Sequence, residues 1–291
     1  MIRQAETRED LEAHSACWSA VWPDDGVSVD FMLERLVREP ERLYLNARQG
    51  DEVVAIGFVG RSSRPGFRTV AVAVLPARRG RGLGSELLDL CLDRARALSA
   101  AHAVGFVRED DAAAVGFLRR RGFELLDCVV TLALELEPGT QATPPPGGIE
   151  IAELDETRRE AAFEVYAQGV ADMPTAAPLD PGSLSDWSVE IEGRPLTLVA
   201  LEGGRVVGHA DLEVRNAPAR VAGNGMTTVV RSHRGRGIAE ALKRTQIAWA
   251  AAHGYRRVTT TTHSDNEPMR RLNEKLGYCE LPAILDVARS L

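Results

Sequence analysis

The chain has little of what several common roles require. Its four cysteines, Cys17, Cys91, Cys128 and Cys279, form no CxxC pair and no metal-ligand spacing, which argues against a disulfide scaffold or a cysteine metal site. Cys91 sits in a helical pattern and Cys128 in a strand-like one, where cysteine reads as a small apolar core residue. A reducing cytoplasm is the expected compartment. No apolar run approaches the roughly 20 residues of a membrane span, and the first residues lack the charged-then-apolar order of a signal segment, so a soluble protein without membrane contact is expected. Lysine is almost missing: Lys243 and Lys275 stand alone, and arginine carries the positive charge. Residues 1–137 hold 18 Arg against 22 acids and the remainder 17 basic against 20 acidic residues, for a net charge of −7. Neither half is a basic module, and nucleic acid is not an expected partner.

What is present is ordinary globular material. Hydrophobic content of 44% and charged content of 26% suit packed domains, and 291 residues suffice for two of them, each with its own core. One stretch organises the chain. Val229-Val230-Arg231-Ser232-His233-Arg234-Gly235-Arg236-Gly237-Ile238-Ala239 follows a strand pattern and runs into the helical pattern 240–249. A strand, a Gly-rich turn and a helix N-terminus make a place for phosphate, because backbone N–H groups and the positive end of the helix dipole point outward there. An earlier copy reads Val72-Ala73-Val74-Leu75-Pro76-Ala77-Arg78-Arg79-Gly80-Arg81-Gly82-Leu83-Gly84. Arg234 stands 155 positions after Arg79 (234 − 79), and Gly277-Tyr278 stands 155 after Gly122-Phe123 (277 − 122), so each half reads as a copy of one unit.

Taken in order, residues 1–5 read as a strand and Thr7 as the cap of a helix, with Glu9, Asp10 and Glu12 in its first turns. The stretch 18–26 breaks that helix, and 29–37 suggests a second. Strands follow at 42–48, 52–60 and 68–75. The pattern at 83–98 is helical, with Leu87, Leu88, Cys91, Leu92 and Ala95 on one face. A strand at 102–107, a helix at 111–121 and closing strands within 123–136 complete the half. Residues 138–148, with three prolines in a row, read as a linker. The second half repeats the order: strand 149–152, helix 157–167, a Pro-rich excursion 169–184, strands 196–201, 205–214 and 219–230, helix 238–252, strand 257–262, helix 268–276 and an end at 278–287.

This order, read twice, resembles the GNAT superfamily of acyl-CoA-dependent N-acyltransferases. The resemblance rests on Arg-x-x-Gly-x-(Gly/Ala) after the fourth strand, as Arg79/Gly82/Gly84 and Arg234/Gly237/Ala239. It rests also on Asn266 eleven residues before Gly277-Tyr278; Asp111 holds that place before Gly122-Phe123. Other glycine motifs fail on position: Ser85 and Glu240 stand where a dinucleotide fingerprint needs a third Gly, and neither turn has the Gly-Lys-(Ser/Thr) of a Walker loop. The resemblance implies an α/β fold of two tandem GNAT-like domains, 1–137 and 149–291. Each would be a mixed, mostly antiparallel sheet splayed between strands four and five, with helices on both faces.

It further implies acetyl-CoA as co-substrate, its pyrophosphate on the turn and its pantetheine arm along strand four. Those sites are Thr227, Thr228, Val229, Arg234, Gly235, Arg236, Gly237, Ile238, Ala239, Glu240 and Asn266. In the first half they are Val72, Ala73, Val74, Arg79, Gly80, Arg81, Gly82, Leu83, Gly84 and Ser85. The family often places a general-acid tyrosine four residues before the Gly-aromatic pair; Leu118 and Asn273 occupy those positions, and Asn273 is read as a hydrogen-bond partner of the sulfur. Acetyl transfer to an amine calls for a base, since an amine of pKa near 10 is mostly charged at neutral pH. The strands 53–60 and 69–75 carry no ionisable residue, whereas 206–214 alternates, with Val206, Gly208, Ala210, Leu212 and Val214 on one side and His209, Asp211 and Glu213 on the other. His209 and Asp211 are therefore the candidate catalytic residues, with Asn273, and the second half the candidate catalytic domain; the first is structural or CoA-holding.

His233 and His263 flank the site in sequence and read as solvated loop residues. Stretches 18–30 and 169–186 lie where acceptor pockets form in this family, and Asp172, Asp180 and Asp186 there are candidates to attract a cationic amine. The function implied is acetyl transfer from acetyl-CoA to a primary amine of a small molecule, by direct transfer, with no metal, in a monomer or homodimer. The alternative is an acyl-CoA-binding sensor without turnover.

Overall fold

The structure, a computed structural model, describes residues 1–23 and 26–291. Asp24 and Asp25, within the 18–30 stretch expected to shape an acceptor pocket, lie outside the described residues. The chain separates into two compact units, Met1–Asp127 with Ile284–Leu291, and Cys128–Ala283.

The first unit runs β1 (Ile2–Gln4), α1 (Arg8–Val21), α2 (Val29–Arg38), β2 (Leu43–Gln49), β3 (Glu52–Arg61), β4 (Phe67–Val74), α3 (Leu83–Ala97), β5 (His102–Arg108) and α4 (Ala112–Arg119), and β6 (Glu124–Glu135) leaves it. Thr7 and Asp10 form a reciprocal capping box that starts α1, as the sequence implies. The sheet order is β1-β2-β3-β4-β5, with β13 (Ile284–Ser290) against β5. Neighbours pair antiparallel except β4 and β5, which are parallel. All five residues expected on the inner face of α3 are buried, packed on Leu45, Ala55, Val59 and Val70.

The second unit follows with β7 (Ile149–Glu153), α5 (Arg159–Ala171), α6 (Leu184–Glu192), β8 (Leu196–Glu202), β9 (Arg205–Asn216), β10 (Val221–Val229), α7 (Ile238–Ala252), β11 (Arg257–His263), α8 (Glu267–Lys275) and β12 (Cys279–Glu280). Its sheet order is β6-β11-β10-β9-β8-β7, with β12 also on β6. Ile238, Leu242, Ile247 and Ala250 of α7 pack on one face against Leu198, Ala200, Ala210 and Leu212. Ala162, Val165, Trp187 and Ile191 of α5 and α6 pack on the other against Val199, Leu201 and Val206.

The units do not coincide with the boundaries 1–137 and 149–291 read from the linker. Strand pairing is the reason. Beyond Asp127, residues Val129–Glu135 of β6 pair with β11, while β13 from the chain end pairs with β5. Each sheet is completed by a strand from the other half of the sequence. Composition located the linker but carried no information on which sheet receives a closing strand. Helix α6 also differs from the Pro-rich excursion expected to end at 184: Ser183 caps it, accepting from the Asp186 amide, and that Ser-x-x-Asp signal was legible. No helix among the described residues is long and apolar enough to cross a membrane.

Candidate functional site

Both Gly-rich turns have one geometry. A 3-10 turn, Pro76–Arg78 or Arg231–His233, ends each strand-four segment. Gly80 and Gly82 then take φ of 77° and 86°, and Gly235 and Gly237 take 76° and 82°. That left-handed backbone strains any residue with a Cβ, so glycine is required by the turn itself. Gly82 and Gly237 are the N-caps of α3 and α7, and neither helix receives a side-chain cap. By contrast, Thr7, Ser28, Asp111, Ser183 and Asn266 cap α1, α2, α4, α6 and α8. The first-turn amides of Leu83 and Gly84, and of Ile238, Ala239 and Glu240, are therefore left for an outside acceptor, while the Ser85 amide donates to the Gly82 carbonyl at 2.9 Å. A Cβ built at Gly80, Gly82 or Gly235 would meet nothing within 4 Å, so the turns face open space. This donor set fits a pyrophosphate.

The arginines of the turns have internal partners. Arg79 Nε donates to the Val74 carbonyl at 3.2 Å and Arg234 Nε to the Val229 carbonyl at 2.9 Å, which fastens each turn to the end of its strand. Arg79 also reaches Asp111 at 3.1 Å. Arg231 and Arg234 both bind Asp172, whose carboxyl is held down to about 2 chiefly by the Arg231 hydrogen bond. Arg236 and His233 both bind Glu202. His233 is thus buried and paired, not the solvated loop residue expected. Ser85 accepts from Arg121, and Glu240 pairs with Lys275 and Arg244. Asp172, expected to attract an amine, is half-buried and spent on arginines; Asp180 accepts the Gly182 amide and Asp186 the Ser183 hydroxyl, so these are turn and cap residues.

Beside each turn a strand edge opens. β10 and β11 pair only from Val221↔Arg257 to Asn224↔Thr260, although both strands continue. Thr227, Thr228 and Val229 remain paired with Ala210, His209 and Gly208 of β9 on their other side. β4 and β5 likewise pair only through Thr69↔Val104, leaving Val72, Ala73 and Val74 paired with β3 alone. Open backbone groups along such an edge suit an extended ligand.

The acceptor-side chemistry differs between the units. His209, opposite Thr228, is 0% exposed and enclosed by Tyr166 and Trp187, with ring centroids at 6.0 and 5.4 Å. Neither ring nitrogen has a hydrogen-bond partner among the described residues, and burial pulls its pKa to about 3. It is a neutral packing ring. Asp211 is 4% exposed. Its Oδ1 accepts the Met226 amide at 3.0 Å, where β10 bulges between Asn224 and Thr227, and a Cβ at Gly225 would collide with it. Burial raises its carboxyl to about 7, against the pull of Arg194, whose Nε lies 3.3 Å from Oδ2. A carboxyl that exchanges its proton near neutrality is what general-base chemistry needs. Glu213 is instead consumed by Arg194 and Arg215. Val206 does not share the Ala210 face as alternation predicted, because a bulge between Ala200 and Leu201 pairings turns it toward α5 and α6. In the first unit the ladder position opposite Ala73 holds Ile56, packed with Trp18 and Cys17.

Of the other sequence candidates, Asn266 spends its side-chain oxygen on the Met269 amide, 3.3 Å away, as the cap of α8, and Asp111 caps α4 in the same way. Asn273 is 0% exposed with both amide atoms unpartnered. Thr227 Oγ1 is likewise unpartnered, and Thr228 is covered by Gly169 of α5. Tyr166, Trp187 and Arg194, which enclose the His209–Asp211 side, carried no motif in the sequence; only the cap before α6 pointed toward Trp187.

Comparison with known proteins adds to this geometry. The model of the acetyltransferase (GNAT) family matches residues 9–123 and again 156–278. The mycothiol acetyltransferase of Clavibacter michiganensis subsp. michiganensis (strain NCPPB 382) is 28% identical over 270 residues, 88% of this chain and 83% of that protein. A tandem GNAT protein from the clavulanic acid biosynthesis pathway, solved without AcCoA, matches with a TM-score of 0.78 at 19% identity, over 100% of this chain and 98% of its own. A GCN5-related N-acetyltransferase from Sphaerobacter thermophilus matches with a TM-score of 0.76 at 21% identity, over 100% and 95%. These two likenesses speak for the fold. With both halves matched by the family model and both turns built alike, the chain belongs to the GNAT acetyltransferase family.

Proposed function

We propose that the second unit moves an acetyl group from acetyl-CoA to a primary amine of a small molecule by direct transfer, in the cytoplasm. The observation that carries this reading is Asp211: a buried carboxyl near neutral pKa, seated under the bulge of β10 where that strand opens. The turn residues Gly235, Arg236, Gly237, Ile238, Ala239 and Glu240 hold the pyrophosphate through their amides, and the open edge at Thr227, Thr228 and Val229 holds the extended arm. Acetyl-CoA supplies an acyl group already activated as a thioester. Asp211 Oδ2 accepts the proton of the incoming ammonium and leaves a nitrogen lone pair. Tyr166 and Trp187 close this same side of the strand from water. The name of the mycothiol acetyltransferase relative supports a small-molecule acceptor.

A binding role without turnover suits the first unit. It repeats the turn and the open edge, but Ile56 faces its site and Trp18, Trp22 and Phe106 fill the adjacent layer. The test is thiol release from acetyl-CoA across amines, amino acids, polyamines, aminoglycosides and peptides. Amine-dependent release that vanishes in Asp211→Asn supports the reading. Acetyl-CoA binding with no release under any amine would replace it with a sensor.

A further inference from the structure

The mechanism above leaves a buried charge of the second unit unused. Lys243, on the inner face of α7, is 1% exposed. Its Nζ donates to Asn224 Oδ1 at 3.3 Å and Thr260 Oγ1 at 3.4 Å, and it has no carboxylate partner among the described residues. Asn224 and Thr260 are the last paired residues of β10 and β11, so the ammonium sits where the two strands part. The Tyr278 hydroxyl donates to the same Asn224 oxygen, and the Tyr278 ring lies 5.4 Å from Nζ. Asn224 Nδ2 in turn donates to Gln246 Oε1 at 2.8 Å. A buried cation facing only neutral acceptors costs several kcal/mol, which an anion of fitting geometry would offset. Among the described residues two neighbouring side chains hold donors without acceptors: Gln246 Nε2 is buried and unpartnered, and so is the amide of Asn273, whose backbone carbonyl accepts the Tyr278 amide.

We propose that Lys243 is a catalytic group of the second unit that pairs with the CoA sulfur and returns its proton. The inference rests on the function proposed above, and it supplies the acid missing where Asn273 replaces a tyrosine. As the C–N bond forms, the C–S bond breaks with its electron pair on sulfur. The ammonium's first proton passes through Asp211 to solvent before attack; as the amide forms, the nitrogen loses a second proton to Asp211 and the sulfur gains one from Lys243. Exchange with solvent then restores the ammonium and the carboxylate. Burial holds Lys243 near 7, low enough to surrender a proton to a thiolate. Among the described residues Tyr278 is the other titratable group facing it; β10 and β11 present Asn224 and Thr260, while Glu240 and Arg244 of its own helix pair with each other, and Glu240 also with Lys275.

The test is calorimetric binding of CoA and of desulfo-CoA, which lacks the thiol, to the full chain. Wild type should prefer CoA by roughly ten- to a hundredfold at neutral pH, the range for a hydrogen bond to a charged group. The preference should fade in acid, where the sulfur regains its proton. Lys243→Met should bind desulfo-CoA as wild type does and CoA no better. Equal affinity of wild type for the two ligands would overturn the inference without any variant, and a full preference in Lys243→Met would overturn it too. Binding of neither ligand by wild type would overturn the proposed function itself.

Discussion

Arg234 fastens itself to Val229, donating through Nε to the carbonyl that ends β10, and Arg79 does the same to Val74 in the other unit. The first arginine of the duplicated turn is thus a brace, which fixes where the strand stops and the glycines begin. In the function proposed above, phosphate contact falls chiefly to the amides beyond it.

Those amides depend on Gly237. Its φ of 82° costs a β-branched residue roughly 1–2 kcal/mol, while a Cβ there would meet Pro146 only at an ordinary contact distance of 3.5 Å. Gly237→Val should weaken acetyl-CoA binding to the second unit and lower kcat/KM at least tenfold, by about the same energy. Gly82→Val should reduce the calorimetric stoichiometry instead. Full turnover in Gly237→Val would remove the second unit as the seat of chemistry.

Asp211→Asn should lower kcat by roughly a hundred- to ten-thousandfold, the span of general-base catalysis. In wild type kcat/KM should climb as pH rises through about 7, where the buried carboxyl ionises, and that limb should be absent from the variant. The same shift has a stability signature. Folded Asp211 keeps its proton up to about 7 while the unfolded chain releases it near 4, so its contribution to stability falls as pH rises between those values. Melting curves of wild type and Asp211→Asn across that window would show the difference narrowing toward acid.

His209→Leu removes two buried nitrogens that have no partner. Relief of such groups is worth about 1–3 kcal/mol, so the melting temperature should rise by a few degrees. The pH limb assigned to Asp211 should stay in place. A limb displaced in His209→Leu would restore the imidazole as a titrating participant.

Asp172 holds Arg231 and Arg234, two cations that a pyrophosphate bound as proposed would also attract. Asp172→Asn should tighten acetyl-CoA binding a few-fold at low salt and progressively less as salt screens the exposed pair. Unchanged affinity at both ionic strengths would mean that these arginines stay with α5 when ligand binds.

The family and the cradle were legible because they are local. Glycines that need positive φ, an uncapped helix start and a repeat at constant offset are all written along the chain, and α3 and α7 begin at Leu83 and Ile238 as read. So were the five buried residues of α3, since helical periodicity and burial coincide. The tertiary structure decided the rest. Which sheet takes β6 and β13 depends on long-range pairing that no composition encodes. Alternation on β9 put His209 and Asp211 on one side, but only packing separated them. Aromatic rings left His209 a neutral spacer, while the bulge of β10 gave Asp211 a hydrogen bond and a low-dielectric seat. Lys243 was one of only two lysines in the sequence; α7, laid across the point where β10 and β11 part, buries it as an ammonium without a carboxylate partner among the described residues.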